Sequence, residues 1–250
     1  MIITRYSVNG PELKIAQVSD LHGKPSRELY AKLKLEKPDA ILVSGDLCTI
    51  GNYDDRLVDP DGLYKRLETQ EKAIEFLKNA VDIAPVFYSL GNHEWGIDDV
   101  YREEVKATGA VLLENEWIWF RDAWIGGQNS AKRGTKYKNG KEIGERNRRP
   151  DTDWLKESPE GFKIILCHHP EYYEIVKDSA DLVLAGHSHG GHWRFLGRGV
   201  FAPGQGFWPR YSKGMYDKMI ISAGLTNTTW VPRINNPTEL VIVEIEPKED

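Results

Sequence analysis

Leu182-Val183-Leu184-Ala185-Gly186-His187-Ser188-His189-Gly190-Gly191 runs from four apolar residues straight into glycines and histidines. A short apolar run bounded by glycine reads as a buried strand, and a strand ending in His-x-His delivers two imidazoles to one edge of a sheet. Four other segments share this arrangement. Lys14–Val18 leads to Asp20-Leu21-His22, Ala40–Val43 to Gly45-Asp46, Val86–Leu90 to Gly91-Asn92-His93-Glu94, and Lys163–Cys167 ends in His168. Strands of one parallel sheet open their ligand crevice at their carboxyl ends, so five such endings can converge. Five of the seven histidines lie in them, a concentration that reads as a metal site.

Helical patterns fill the gaps between these endings. Ser26–Lys37 reads as a helix with Ser26 as N-cap and Leu29 and Leu33 on one face. Leu63–Ala80 is a second, with Ala73, Ile74 and Leu77 at helical spacing. Asp98–Thr108 ends at Gly109, a residue suited to the C′ position, and Pro170–Lys177 opens with proline in its first turn. Alternating strands and helices are the βαβ signature of a largely parallel sheet. After Ala110 the strands shorten to Val111–Leu113, Trp117–Phe120 and Trp124–Gly126, with Met219–Ser222 and Leu240–Ile245 near the end. No linker, repeat or low-complexity tract divides the chain, so residues 1–250 read as one domain.

The 250 residues are 40% hydrophobic with 8 Trp and 11 Tyr, enough for a sizeable core. A net charge of −5 provides no global basic field to recruit nucleic acid or an anionic membrane. Cys48 and Cys167 sit in or beside expected strand ends and read as buried thiols rather than a disulfide. No run approaches the ~18 apolar residues of a membrane span. The N-terminus lacks a signal-peptide pattern, so a cytoplasmic location is expected. Two stretches read as surface loops. Asn52–Asp61 is acidic, whereas Ala131–Pro150 carries Lys132, Arg133, Lys136, Lys138, Lys141, Arg146, Arg148 and Arg149. The basic one is suited to clamping a phosphate if it hangs over the site.

Carboxylate and amide oxygens with imidazole nitrogens suit two adjacent Mn²⁺, Fe or Zn²⁺ ions without any thiolate. Asp20 and His22, two apart beyond a strand, can turn toward one ion, and His187 and His189 repeat that geometry. Asp46 has one carboxylate to bridge both, Asn92 adds an amide oxygen and His168 another nitrogen. Each piece alone is weak, since Asp20 could merely cap a segment and Gly45-Asp46 merely mark a turn. Together, each after a strand, they favour a site over structural histidines. Trp193, Phe195, Phe201, Phe207, Trp208, Tyr211 and Tyr216 form an aromatic stretch, at least half of which is expected to pack the second sheet and its loops. The remainder can wall a groove for a lipid or nucleoside group.

In this order, Asp20-x-His22, Gly45-Asp46, Gly91-Asn92-His93-Glu94, His168 and Gly186-His187-x-His189 resemble the full motif set of the calcineurin-like metallophosphoesterases. Pro203–Tyr211, Gly214-Met215-Tyr216 and Arg233–Glu239 are similar to the bacterial YkuE/YaeI-like phosphodiesterase subgroup, some relatives of which cleave a UDP-diacylglucosamine pyrophosphate bond. The resemblance implies a four-layer α/β/β/α sandwich of two mixed sheets with a binuclear centre at the strand ends. It assigns Asp20, His22, Asp46 and His189 to one metal, and Asp46, Asn92, His168 and His187 to the other. It also implies in-line attack of a metal-bridging hydroxide on a phosphodiester or pyrophosphate of a small, nucleotide-like substrate, with His93 assisting the leaving group. His169 is then structural or supporting, and His192 a surface or rim residue.

Two departures from the family pattern stand out. Thr49 occupies the position where an Asp commonly orients the catalytic histidine, so either Asp54, Asp55 or Asp98 substitutes or His93 is less activated. No arginine follows at the usual place, leaving Arg210 or the basic stretch as clamps. Competing readings are a nuclease or phosphomonoesterase of the same superfamily, or a silent scaffold. The missing basic stripe argues against nucleic acid, and the filled ligand set argues against a scaffold. No His-x-His-x-Asp-His run exists, which removes a metallo-β-lactamase-type hydrolase.

Overall fold

A computed structural model describes residues 1–49, 60–131, 133–138, 141–147, 150–202, 205–227 and 232–248, with side chains described outside 60–66 and 133–147. The chain begins with strands β1 (Ile2–Asn9) and β2 (Leu13–Val18). Helix α1 (Arg27–Glu36) leads to β3 (Ala40–Ser44), and α2 (Pro60–Val81) leads to β4 (Val86–Ser89). After α3 (Asp99–Ala107) comes β5 (Val111–Leu113), followed by the hairpin of β6 (Glu116–Phe120) and β7 (Ala123–Gln128). A further hairpin, β8 (Arg133–Lys138) with β9 (Lys141–Asn147), precedes β10 (Phe162–Cys167), the one-turn α4 (Tyr173–Val176) and β11 (Leu182–Ala185). Two small hairpins then pair β12 (Arg194–Phe195) with β13 (Arg198–Gly199), and β14 (Phe201–Ala202) with β15 (Gly206–Phe207). The chain closes with β16 (Gly214–Tyr216), β17 (Met219–Ile221) and β18 (Glu239–Glu246).

Two six-stranded mixed sheets result, ordered β1-β18-β2-β3-β4-β5 and β16-β17-β11-β10-β7-β6. Within them β2, β3, β4 and β5 run parallel, as do β7, β10, β11 and β17. Side chains of a strand alternate faces, and here both faces are buried. Ile41 and Val43 of β3 face α1, α2 and α3, where Leu29, Leu33, Phe76, Leu77 and Tyr101 meet them. Ala40 and Leu42 face the other sheet and join Ile164 and Leu166 of β10 and Leu182 and Leu184 of β11. On the far side Ile165, Val183 and Met219 pack against Tyr173 and Val176 of α4. Each fully buried leucine or isoleucine contributes about 1.5–3 kcal/mol. The three apolar layers define the four-layer α/β/β/α sandwich.

The helices start where their caps dictate. Ser26 Oγ accepts from Leu29 N at 3.1 Å, and Asp98 Oδ1 accepts from Tyr101 N at 2.9 Å, each cap worth about 1 kcal/mol. Pro170–Lys177 is not one helix: a 3₁₀ turn at Pro170–Tyr172 precedes α4, and another follows at Lys177–Ser179. The basic Ala131–Pro150 stretch, expected to be a loop, contains the β8–β9 hairpin. The acidic Asn52–Asp61 stretch lies outside the described residues up to Asp59 and enters α2 at Pro60. Cys48 and Cys167 are both buried free thiols. Among the described residues no helix is long and apolar enough to cross a membrane.

Candidate metal centre

The five strand endings do meet, but they come from both sheets. Asp20, Asp46 and Asn92 follow β2, β3 and β4 of the first sheet, while His168, His187 and His189 follow β10 and β11 of the second. The site therefore straddles the junction of the two sheets.

Turning so many donors inward forces the backbone into unusual shapes. Asp20, His22, Asp46, His187 and His189 all have positive φ, between 47° and 65°. For non-glycine residues this costs of order 1–3 kcal/mol each. A network of hydrogen bonds holds them. Asp20 N donates to Gly45 O at 3.2 Å, and His22 N to Asp46 O at 3.0 Å. His187 N donates to Asp20 Oδ2 at 3.2 Å, and Asn236 Nδ2 to His189 O at 2.7 Å. Gly91 lets the β4 loop close on the β3 loop, since a Cβ there would sit 2.1 Å from Asp46 Oδ1.

Glu94 joins the same two loops. Its carboxylate accepts from Asp46 N at 3.0 Å, Cys48 N at 3.0 Å and Gly91 N at 2.7 Å. The sequence placed Glu94 in the motif but gave it no task. Its complete burial, then the Asp46 charge, push its pKa up to about 7.

Around Asp46 Oδ2 stand His168 Nε2 at 3.0 Å, His22 Nε2 at 3.8 Å and His93 Nε2 at 3.9 Å. His189 Nε2 lies 3.4 Å from Asp20 Oδ1. Asp20, His22 and His189 form one group whose donor atoms lie within 4.8 Å of one another, and Asp46, His168 and His187 form another. Asp20 Oδ1, His22 Nε2, Asn92 Oδ1 and His168 Nε2 are buried and find no hydrogen-bond partner among the described residues. Orphaned buried polar atoms cost about 1–3 kcal/mol each, and buried carboxylates more unless a cation balances them. Atoms crowded at these distances, with only His168 and Asp46 close enough to pair directly, fit divalent cations between them.

The electrostatics agree. Burial drives His22 down to about 3 and lowers His187 and His189, so these imidazoles are neutral and have lone pairs to offer. Burial also disfavours a charged His168, but the Asp46 carboxylate overrules it and raises that imidazole to about 10. Asp46 is stabilised as an anion despite its burial, chiefly by His168 and then His93 and His22. His168 Nδ1 donates to Ser44 O at 2.8 Å, which aims Nε2 into the site.

Thr49 does not serve His93. Its Oγ1 is hydrogen-bonded to His22 Nδ1 at 2.9 Å, and Thr69 of α2 braces its backbone N and O at 3.1 Å each. Asp98 is occupied as the α3 cap, and Asp54 and Asp55 lie outside the described residues. His93 Nδ1 is buried without a hydrogen-bond acceptor among the described residues, while His93 N donates to Asp46 Oδ1 at 2.9 Å. With a side chain 34% exposed, His93 lies more open than the buried candidate ligands around it.

His169 packs its ring 4.1 Å from that of His187, and with Glu171 and His187 it forms a further group whose donor atoms lie within 4.8 Å of one another. His192, expected at the surface or the rim, is instead buried and stacks on His189 with ring centroids 5.7 Å apart. Among the described residues Arg233 brings a guanidinium to the site, with one Nη 3.3 Å from His189 Nδ1 and the other donating to Ala223 O at 2.7 Å; the side chains of the basic stretch from 133 to 147 lie outside the described ones. Arg210 is 74% exposed and pairs with Glu174 at 3.6 Å. Arg233 was visible in the quoted Arg233–Glu239 stretch, but nothing in its spacing announced this contact.

A four-layer sandwich with His/Asp clusters at the sheet junction is the architecture of a metal-dependent hydrolase. The calcineurin-like phosphoesterase profile matches residues 13–191, a span that contains every one of these ligand candidates, and the chain belongs to that family. It is 27% identical over 96% of its length to an uncharacterised metallophosphoesterase of Aquifex aeolicus (strain VF5), covering 87% of that protein. An uncharacterised metallophosphoesterase of Campylobacter jejuni is 29% identical over 95% of the chain, which spans 60% of that longer protein. Among solved structures, the Thermus thermophilus sulfate thiohydrolase SoxB aligns with a TM-score of 0.45 at 12% identity, over 93% of this chain and 56% of that one. Family membership makes the chain a phosphoric ester hydrolase by class, with His/Asp groups able to hold divalent metals.

Proposed function

We propose that residues 1–250 form a single-domain binuclear phosphoesterase acting on a phosphodiester or pyrophosphate. Asp20, His22, Asp46 and His189 would hold one cation, and Asp46, Asn92, His168 and His187 the other, with Mn²⁺, Fe or Zn²⁺ suited to this donor set. Such a pair, when bound, neutralises phosphate oxygens and makes water acidic enough to attack phosphorus. Asp46, whose Oδ2 faces imidazoles of both groups, would serve both cations. Asn92 contributes a neutral oxygen, limiting the negative charge that would otherwise repel an anionic substrate. His93, with Nε2 3.9 Å from Asp46 Oδ2, is poised to hand a proton to the departing oxygen at the open side of the site.

The observation that carries this reading is the set of buried atoms on Asp20, His22, Asn92 and His168 that have no hydrogen-bond partner among the described residues. The test is elemental analysis of the purified chain together with turnover of bis(p-nitrophenyl) phosphate, p-nitrophenyl phosphate, nucleotide-sugar pyrophosphates and single-stranded DNA. Two metal ions per chain and diester or pyrophosphate turnover above monoester are expected. Metal-replete protein inert toward every phosphoester would replace this reading with a scaffold, and preferred cleavage of DNA with a nuclease.

A further inference from the structure

From Leu182 to Tyr216 the chain has no acidic residue, although its net charge is −5, and Arg194, Arg198, Arg210 and Lys213 fall in that stretch. Two of these cations are engaged locally. Arg194 donates to Gly190 O at 2.9 Å and also to Gly197 O, and Lys213 pairs with the buried Glu239. Arg198 and Arg210 face solvent, the latter with Glu174 at 3.6 Å. Ion pairs this exposed and this long hold little energy.

Exposed apolar side chains share the surface. Phe195 is 65% exposed, Leu196 88%, Phe207 75% and Trp208 66%. At least half of the seven aromatic residues of this stretch are expected from the sequence to pack inside, but five of them, Trp193, Phe195, Phe201, Phe207 and Trp208, stand exposed. Two of the apolar residues sit where such residues are disfavoured. Leu196 has φ +47° and precedes Gly197 at φ +78°, the pattern of a turn that usually takes Asn, Asp or Gly at its first position. Trp208 has φ +55°. A bulky side chain there costs about 1–2 kcal/mol, and neither recovers it by burial. Strain kept without a packing return points to an external partner.

Arg198, Trp208, Arg210 and Tyr216 line one cavity of about 450 Å³. The patch also reaches the metal centre, because the His192 ring lies 6.3 Å from Phe201 and 5.7 Å from His189. We propose that this face docks on an anionic lipid bilayer. Phe195, Leu196, Phe207 and Trp208 enter the interfacial zone, and Arg198 and Arg210 meet lipid phosphates. Aromatic and aliphatic tips beside exposed, at most weakly paired cations are the combination that binds such surfaces. A second copy fits less well, since a two-fold contact would set these arginines against their own kind. The whole-chain charge gave no hint of this, because the acids lie elsewhere in the sequence.

Vesicle flotation tests the proposal directly, using phosphatidylcholine alone or with about a third phosphatidylglycerol. Flotation only with the anionic vesicles is expected, weakening as salt is raised. Arg198→Ser and Arg210→Ser should each lower the affinity about fivefold. The pair Leu196→Asn with Trp208→Asn should lower it at least ~10-fold. Asparagine suits both backbones, so that pair should lower neither its thermal midpoint nor its turnover of soluble diester. No flotation at low salt, or flotation undiminished in the variants, would overturn the proposal. So would a dimer in sedimentation that the asparagine pair dissolves, since it would assign the face to a second copy.

Discussion

Asp20, His22, Asp46, His187 and His189 share a left-handed backbone with Leu196 and Trp208. The two sets differ in what holds them there. In the crevice the residues are buried and polar, and neighbouring loops grip each of them by a backbone or side-chain hydrogen bond. On the hairpins they are apolar and open to solvent. The same torsional cost thus serves two ends. It aims donors inward at the sheet junction, and it pushes greasy tips outward next to it.

The comparison breaks most completely at Asp46, whose carboxylate touches both halves of the crevice. Asp46→Ala should cut turnover by about 10⁴-fold or more, as loss of an essential reacting group does, and elemental analysis should find no more than one ion per chain. His93→Gln should cost about 10³-fold in kcat while metal content stays at the parent value; loss of the ions would move His93 from the chemistry to the ligand set. Thr49→Val should weaken metal affinity by roughly 10–100-fold, measured by calorimetry, and Thr49→Ser should restore it. Persistence of full affinity in the valine variant would show that the His22 ring needs no brace.

Acid and alkali act on the crevice in opposite senses when chelator has removed the metals. His168 titrates near 10 in the fold against 6.5 unfolded, so its stabilisation is complete below pH 6.5 and fades as the pH climbs toward 10. His22 titrates near 3, so its contribution is complete above pH 6.5 and is lost as the pH falls toward 3. The thermal midpoint of chelator-treated protein should decline on both sides of neutrality, and Asp46→Asn should flatten the alkaline limb. Metal uptake between those limits should expel about one proton from His168, readable as a buffer dependence of the binding heat. The smallest change is expected on the hairpin: Leu196→Asn should raise stability by about 1 kcal/mol, or a few degrees.

Much of this was legible because apolar runs such as Leu182–Ala185 end abruptly in histidine or aspartate, and Ser26 and Asp98 announce helix starts. The partition of the five endings between two sheets was not. Strands buried on both faces, like β3 and β10, look alike whichever sheet they join. The β8–β9 hairpin hid inside a run of Lys and Arg that lacks apolar alternation. His192 stacks where no periodicity marks it, and Thr49 turned to His22 because α2, through Thr69, presses on its backbone. Exposure of Phe207 and Trp208 was equally unreadable, since aromatic content alone does not distinguish a wall from a tip.

Because the donors hang from separate sheets, their spacing is fixed by how Ile15 and Leu42 of one slab mesh with Ile164 and Leu184 of the other. A slide of one strand step, about 3.3 Å, would tear the constellation apart while leaving each slab intact. Ions held by both sets of donors would therefore act as a rivet through the laminate. Trimming Leu42 or Leu184 by a methyl, far from any reacting atom, should make the loaded enzyme leak metal before it melts.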